Sequence, residues 1–266
     1  MRMINGECLY EMDRLIQEGV RVDMILTDIP YGTTKCKWDS VISLDDMWEK
    51  IKKIRKITTP TLLFGQAPFD KILGTSNIKE LKYEWIWEKT SATGHLNAKK
   101  MPMKAHENIL AFHDIEDEDI HENILVFYKK LGLYNPQMTY NHKRKTSKAE
   151  HKIKCKESDI YNKGQVFTTY DSTTRYPRSV LKFSSDKQTC NLHPAQKPVA
   201  LLEYLIETYT NEGDLVLDFT AGSFSTGEAC WNLKRDCILI EKDEDIFNTG
   251  KNRIEGIRHD QKAKSL

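Results

Sequence analysis

The chain has 266 residues, 39% hydrophobic and 30% charged, with a net charge of +1, a profile that fits one sizeable α/β domain with room for a smaller inserted lobe. No apolar run approaches the length of a membrane span, the amino terminus lacks a signal-peptide core, and the six cysteines form no Cys-x-x-Cys pair. These features argue against a membrane protein, a zinc site or a disulfide framework, and predict a cytoplasmic protein with reduced thiols and no metal.

Residues 1–6 predict a short strand, and 7–18 an amphipathic helix closed by Gly19. A buried strand over 23–27, with the apolar run Met24-Ile25-Leu26, then delivers Asp28-Ile29-Pro30-Tyr31-Gly32 to its carboxyl end, where open α/β sheets bind ligands. By itself this stretch reads either as a plain turn or as a grip for the exocyclic amine of a flat heteroaromatic base. In the second reading Asp28 and the Ile29 carbonyl accept the amine's two protons, and Tyr31 stacks on the ring. The polar loop 33–40 is placed to close over such a base, with Trp38 either part of that lid or a packing anchor. Helical spacing covers 44–57, a buried strand 61–64, a short helix 70–76 and an aromatic-rich strand 83–89.

Residues 105–112 recur as 120–127, each copy containing His-Glu-Asn-Ile-Leu, with a strongly acidic linker between them. One duplication is too little for a solenoid, so it predicts a hairpin or a copy left outside the sheet. His106 and His121 read as strand-end residues, because neither has a partner at metal spacing. From 129 to 192 the chain carries fourteen Lys and Arg against five Asp and Glu, a net +9, so the remainder carries −8. Seven interleaved aromatic residues, Tyr134 and Tyr176 among them, favour a nucleic-acid-binding lobe over a solvated lysine-rich loop. Residues 143–156 are polar enough to be flexible.

His193-Pro194-Ala195-Gln196-Lys197-Pro198 predicts a rigid turn into an apolar helix over 199–209. A strand over 214–218 then ends at Asp218-Phe219-Thr220-Ala221-Gly222-Ser223, a small-residue loop before a helix predicted over 228–233. That is the form of a nucleotide or nucleoside cradle, since glycine lets the backbone approach a ligand and a helix start offers unpaired amides. The next strand, 237–240, ends in Glu241, an acid suited to ribose hydroxyls; a generic Rossmann unit could produce the same pattern.

Taken in order, Asp28-Ile29-Pro30-Tyr31, the basic lobe, His193 to Pro198, and Asp218 to Gly227 followed by Glu241 resemble the S-adenosylmethionine-dependent DNA amino-methyltransferases whose catalytic motif precedes the cofactor motif. The resemblance covers nearly the whole chain outside the basic lobe and the extra repeat. Segments 31–42 and 175–183 look most like phage members, which implies the host cytoplasm as location. It implies a Rossmann-like α/β fold with a mostly parallel seven-stranded sheet in permuted order and helices on both faces. It also implies a catalytic half at 1–128, a target-recognition region at 129–192, a cofactor half at 193–254 and a tail at 255–266. Asp28, Ile29, Pro30 and Tyr31 match the catalytic positions. Asp218, Phe219, Thr220, Gly222 and Glu241 match the cofactor positions, and Gln196 and Lys197 the segment that closes over the methionine end.

The implied partner is double-stranded DNA, with the protein a monomer or homodimer. An acid at the first catalytic position points to adenine N6, where serine is usual for cytosine N4; a cytosine N4 enzyme and a catalytically silent DNA-binding relative are the alternatives. Three positions depart from the pattern. Ile29 stands where proline or leucine is common, Phe224 where the cofactor loop usually has glycine, and Leu239 where the following strand usually has one. The sequence leaves open whether Phe224 blocks the pocket or points away from it.

Overall fold

A computed structural model of the chain describes residues 1–32, 40–93, 98–100, 102–113, 132–147, 170–185 and 196–264. Met1–Asn135 with Ser179–Leu266 forms one compact unit, and Pro136–Arg178 forms a second.

The first unit is built on a sheet of β1 (Arg2–Asn5), β2 (Met24–Thr27), β3 (Thr61–Gly65), β4 (Leu81–Thr93), β5 (Lys104–Phe112), β8 (Val180–Phe183), β9 (Leu215–Asp218) and β10 (Asp236–Glu241). Their order is β1-β10-β9-β2-β3-β5-β4-β8, and only β5 runs against its neighbours. The sheet is therefore mostly parallel, as expected, but among the described residues it has eight strands rather than seven. The central strands β2 and β3 are buried at every position, the requirement for parallel strands covered on both faces. Alternation along β2 sends Met24 and Leu26 into one core and Ile25 into the other.

Helices α1 (Cys8–Gln17), α2 (Leu44–Ile54), α3 (Phe69–Ser76), α4 (Val199–Tyr209), α5 (Ser225–Asn232) and α6 (Glu244–Lys264) surround the sheet. Helix α1 starts where the Glu7 carboxylate accepts the Tyr10 amide at 2.9 Å, and Gly19 at φ 76° follows its end. In α2, Ser43 caps the start, acids occupy the first turn and lysines the last, each complementing the helix dipole. Helix α4 packs Leu201, Leu205 and Ile206 on the face that also receives Met24 and Phe64. None of the described helices is long and apolar enough to cross a membrane.

Several boundaries differ from the sequence expectation. Helix α5 begins at Ser225 instead of residue 228, and α6 runs through the stretch expected to be a tail. Strand β4 extends well past residue 89, because after a register shift its pairing with β5 resumes at Thr93 opposite Lys104. The first copy of the repeat is β5; the second lies outside the described residues. Within the second unit, β6 (Lys145–Ser147) pairs antiparallel with β7 (Tyr170–Ser172), so part of the segment expected to be flexible is a strand. Inside this unit the Arg175 guanidinium donates to the carbonyls of Ser172, Thr174 and Lys143, tying its two ends together.

Strand order locates the ligand crevice. From β2 the chain continues to β3 on one side, while from β9 it continues to β10 on the other, so β2 and β9 flank a topological switch point. Asp28 follows β2, Asp218 ends β9 and Glu241 ends β10. Because β5 is reversed, its first residues, not its last, lie beside the ends of β3 and β4.

Candidate active site

A cavity of about 1030 Å³ opens at these strand ends. Asp28, Ile29, Pro30, Tyr31, Gln196, Lys197, Asp218, Phe219, Thr220, Gly222 and Glu241 all line it, so every sequence-predicted site residue comes to one place. The loop containing Trp38 lies outside the described residues.

The catalytic and cofactor stretches are joined by a hydroxyl network. Thr27 Oγ lies 2.7 Å from Asp218 Oδ1 and 2.6 Å from the Thr220 hydroxyl. Thr220 in turn donates to the Asp28 carbonyl at 3.1 Å, and Thr226 donates to Asp218 Oδ2 at 2.6 Å. Asp218 thus has both oxygens bonded within the protein and fixes the end of β2 relative to α5. Burial pushes its carboxyl up to about 6, against the hydrogen bonds from Thr226 and Thr27 that lower it.

Glu241 is bonded similarly. Its carboxylate accepts the Gly222 and Asp243 amides, each at 2.9 Å, which fixes the loop at the start of α5; burial raises its pKa. Gly222 adopts φ 53° with open space where a side chain would begin, so the loop can approach a ligand closely. Gln196 is buried, with Oε1 3.4 Å from the Ser223 hydroxyl and Nε2 without a hydrogen-bond partner among the described residues. A buried unpaired donor in a cavity wall fits a ligand acceptor.

Phe224 settles the question that the sequence left open. It holds a left-handed φ of 60°, is fully buried, and packs edge-on against Phe247 at 5.6 Å instead of lining the cavity. Its ring fills the space left by Gly250, where an added Cβ would lie 2.6 Å from a ring carbon. Leu239 is accommodated in the same manner by Gly227, where a Cβ would meet its Cδ1 at 2.6 Å. Both departures from the pattern are absorbed in the core.

At the catalytic stretch, the Tyr31 hydroxyl donates to Asp28 Oδ1 at 2.5 Å, and its ring stacks on Phe69 with centroids 5.2 Å apart. Lys197 donates to Asp28 Oδ2 and lies 3.3 Å from Glu107 Oε2. Lys89 holds the other Glu107 oxygen at 2.5 Å. Lys197 and Glu107 are each only 11% exposed, so this is a buried chain of alternating charge. Burial opposes the charge on Lys197, but Asp28 and Glu107 outweigh it and hold the ammonium above its ordinary pKa. Burial likewise opposes the Glu107 charge, and the two lysines overcome it.

This geometry bears on what kind of protein the chain is. A model of the DNA methylase family, N6 and N4 type, matches residues 22–252. The chain belongs to that family. Its match takes in the catalytic stretch, the basic lobe and the cofactor loop together, and the family uses S-adenosylmethionine. The chain is 25% identical to the DNA adenine methyltransferase YhdJ of Escherichia coli K12, over 97% of this chain and 83% of that one. Among solved structures, the fold is similar to M1.HpyAVI in its SAM complex, with a TM-score of 0.61 at 22% identity, covering 95% of this chain and 98% of that one. It is similar also to the cytosine-N4-specific PvuII DNA methyltransferase, with a TM-score of 0.62 at 15% identity, over 94% of this chain and 85% of that one.

Sequence reasoning missed Thr27, Lys89, Glu107 and Thr226. Thr27 carried a visible signal, a hydroxyl closing an apolar strand just before the acid. Glu107 had one too, in the Glu-Asn pair of the repeated segment, but its use depends on the reversal of β5.

Proposed function

We propose that this DNA methyltransferase transfers a methyl group from S-adenosylmethionine to adenine N6 at specific sites in duplex DNA. The observation that carries the reading is Asp28, an acid lining the cavity whose carbonyl is bonded to Thr220 of the cofactor loop. That bond sets the amine acceptor at a fixed place relative to the donor's site, and alignment of two reactants is worth much of such a barrier. In this reading residues 1–128 and 193–254 supply the catalytic and cofactor halves, and 129–192 recognises the target.

Gln196 Nε2 and the first amides of α5, which no side chain caps, suit the methionine carboxylate, and Glu241 suits the ribose. Bound there, S-adenosylmethionine supplies a methyl carbon on a positively charged sulfur. An adenine amine is a poor nucleophile because its lone pair is delocalised into the ring. Asp28 and the Ile29 carbonyl, accepting its two protons, favour a pyramidal nitrogen whose lone pair forms the bond to the methyl carbon. The carbon–sulfur bond would break with its electron pair kept by sulfur, and the proton that the nitrogen gives up would pass to Asp28, which already accepts its hydrogen bond. Tyr31, backed by the buried Phe69, offers an aromatic face to a base removed from the duplex.

An acid at the first catalytic position favours adenine N6. The likeness to a cytosine-N4-specific structure keeps cytosine N4 as the competing product. Labelled methyl transfer to unmethylated duplex DNA followed by nucleoside chromatography separates the two, with label in N6-methyladenosine expected and label in N4-methylcytosine overturning the base assignment. Asp28→Ala is expected to abolish transfer while the thermal transition remains; a folded, active variant would refute the role of Asp28.

A further inference from the structure

Asp28 has both oxygens engaged, one by Tyr31 and one by Lys197. An incoming amine needs at least one of them, and Lys197 cannot simply let go. Its ammonium is buried, lying 5.0 Å above the Phe64 ring, and a buried charge that loses its partner is strongly destabilising. A second counter-charge must be in reach.

Glu107 is placed for this. It stands opposite Trp87 in the β4–β5 register, so Lys89, two residues further along β4, reaches it on the same face. Lys89 fixes Oε1, leaving Oε2 turned towards Lys197. The 3.3 Å approach of Oε2 to Lys197 is an ion pair without an aligned hydrogen bond, so this buried oxygen still has bonding capacity to offer the same ammonium. Asp28, Lys197, Glu107 and Lys89 together carry no net charge. The sequence offers no local sign of the arrangement, because the four residues come from four separate segments.

We infer that Glu107 is a positioning residue for the methyl acceptor: it takes over the Lys197 ammonium when the target amine takes Lys197's place on Asp28. Glu107 acts through Lys197 and not on the amine or the donor. Without it Lys197 remains on Asp28 and competes with the base. The inference rests on the amine-acceptor role proposed for Asp28.

The test uses the full chain, S-adenosylmethionine at saturation, and steady-state transfer to duplex DNA for the wild type, Glu107→Gln, Lys197→Met and the double variant. Glu107→Gln is expected to raise KM for DNA roughly tenfold, the scale of one charge-assisted hydrogen bond, with S-adenosylmethionine affinity by calorimetry unchanged. In the Lys197→Met background the same substitution is expected to add nothing, because there is no ammonium left to hold. An unchanged KM in Glu107→Gln, or an equal effect in both backgrounds, overturns the inference while leaving the methyltransferase reading intact. Should Glu107→Gln fail to fold, Lys89→Gln decides: it leaves Glu107 wholly to Lys197, so KM for DNA should fall, and an unchanged or higher KM overturns the inference. Absence of transfer by the wild type itself would remove the functional reading and this inference with it.

Discussion

At the scale of single residues, the hydroxyl network around Asp218 depends on how many hydrogens it contains. Thr220 uses its one hydroxyl hydrogen on the Asp28 carbonyl. With Asp218 ionised, Thr27 must donate to Oδ1, and its 2.6 Å contact with Thr220 then has no hydrogen of its own. Below about pH 6 a proton on Asp218 Oδ1 would complete the series by reversing the Thr27 bond, so that Asp218 donates to Thr27, Thr27 to Thr220, and Thr220 to the Asp28 carbonyl. Burial, which pushes the carboxyl up from 3.8 to about 6, favours that proton at acidic pH. For an acid raised in the folded state, the folded form holds the proton more tightly than the unfolded form. Its stabilising contribution is therefore complete below the unfolded pKa and is lost as pH rises through the folded one. The window is about pH 4 to 6, and the effect is on the order of 3 kcal/mol. Asp218→Asn keeps a donor at this position and cannot titrate. Thermal midpoints of wild type and Asp218→Asn, followed over that window, should diverge as the wild type loses stability; parallel curves would show that Asp218 is ionised throughout.

At the scale of elements, α6 contains two glycines with opposite expectations. Gly250 faces the Phe224 ring, with three ring carbons within 2.8 Å of where a Cβ would stand, whereas Gly256 is exposed with nothing within 4 Å. Gly250→Ala should therefore destabilise by about 1–3 kcal/mol through overpacking. Gly256→Ala should stabilise by about 0.5–1 kcal/mol through helix propensity. Denaturant unfolding of the pair reads both signs, and the account fails if they move together. The same reasoning covers Phe224→Gly: relief of a left-handed backbone gains about 1 kcal/mol, while loss of a buried aromatic costs about 3–5, so the variant should be the less stable. These contacts explain what could be read from the sequence. Strand β2 with Asp28, and β9 through β10 with Glu241, were legible because each is a contiguous run whose period and punctuation lie within a few residues. The orientation of Phe224 was not, because it is decided by a glycine on another helix. The partnership of Glu107 with Lys197 was not either, since it follows from the pairing of a reversed strand. Helix α5 was predicted to start late because a left-handed residue preceding it has no local signature in a phenylalanine.

At the scale of the whole chain, charge is divided along the structural boundary. Residues 136–178, the second unit, carry ten Lys and Arg against four Asp and Glu, a net +6, which leaves −5 on the first unit. DNA carries negative charge along its whole length, so by net charge long-range attraction is expected to come from the second unit. Not every cation in the second unit is available for this. Arg175 is committed to the carbonyls of Ser172, Thr174 and Lys143, so its loss should unfold the unit before it alters any phosphate contact. Lys143 and Lys145, in contrast, are exposed and can be altered without disturbing the fold. Each phosphate contact contributes about 0.9 to the slope of log affinity against log salt. The double variant Lys143→Gln, Lys145→Gln should therefore reduce that slope by about 2 and weaken binding similarly on all DNA sequences, because phosphate contacts carry no sequence information. S-adenosylmethionine affinity should stay at the wild-type value, since neither lysine lines the cavity. Titrations of labelled duplex at several salt concentrations measure the slope directly. An unchanged slope would place the DNA contacts elsewhere, and a loss confined to one DNA sequence would make these lysines readers of bases instead of backbone.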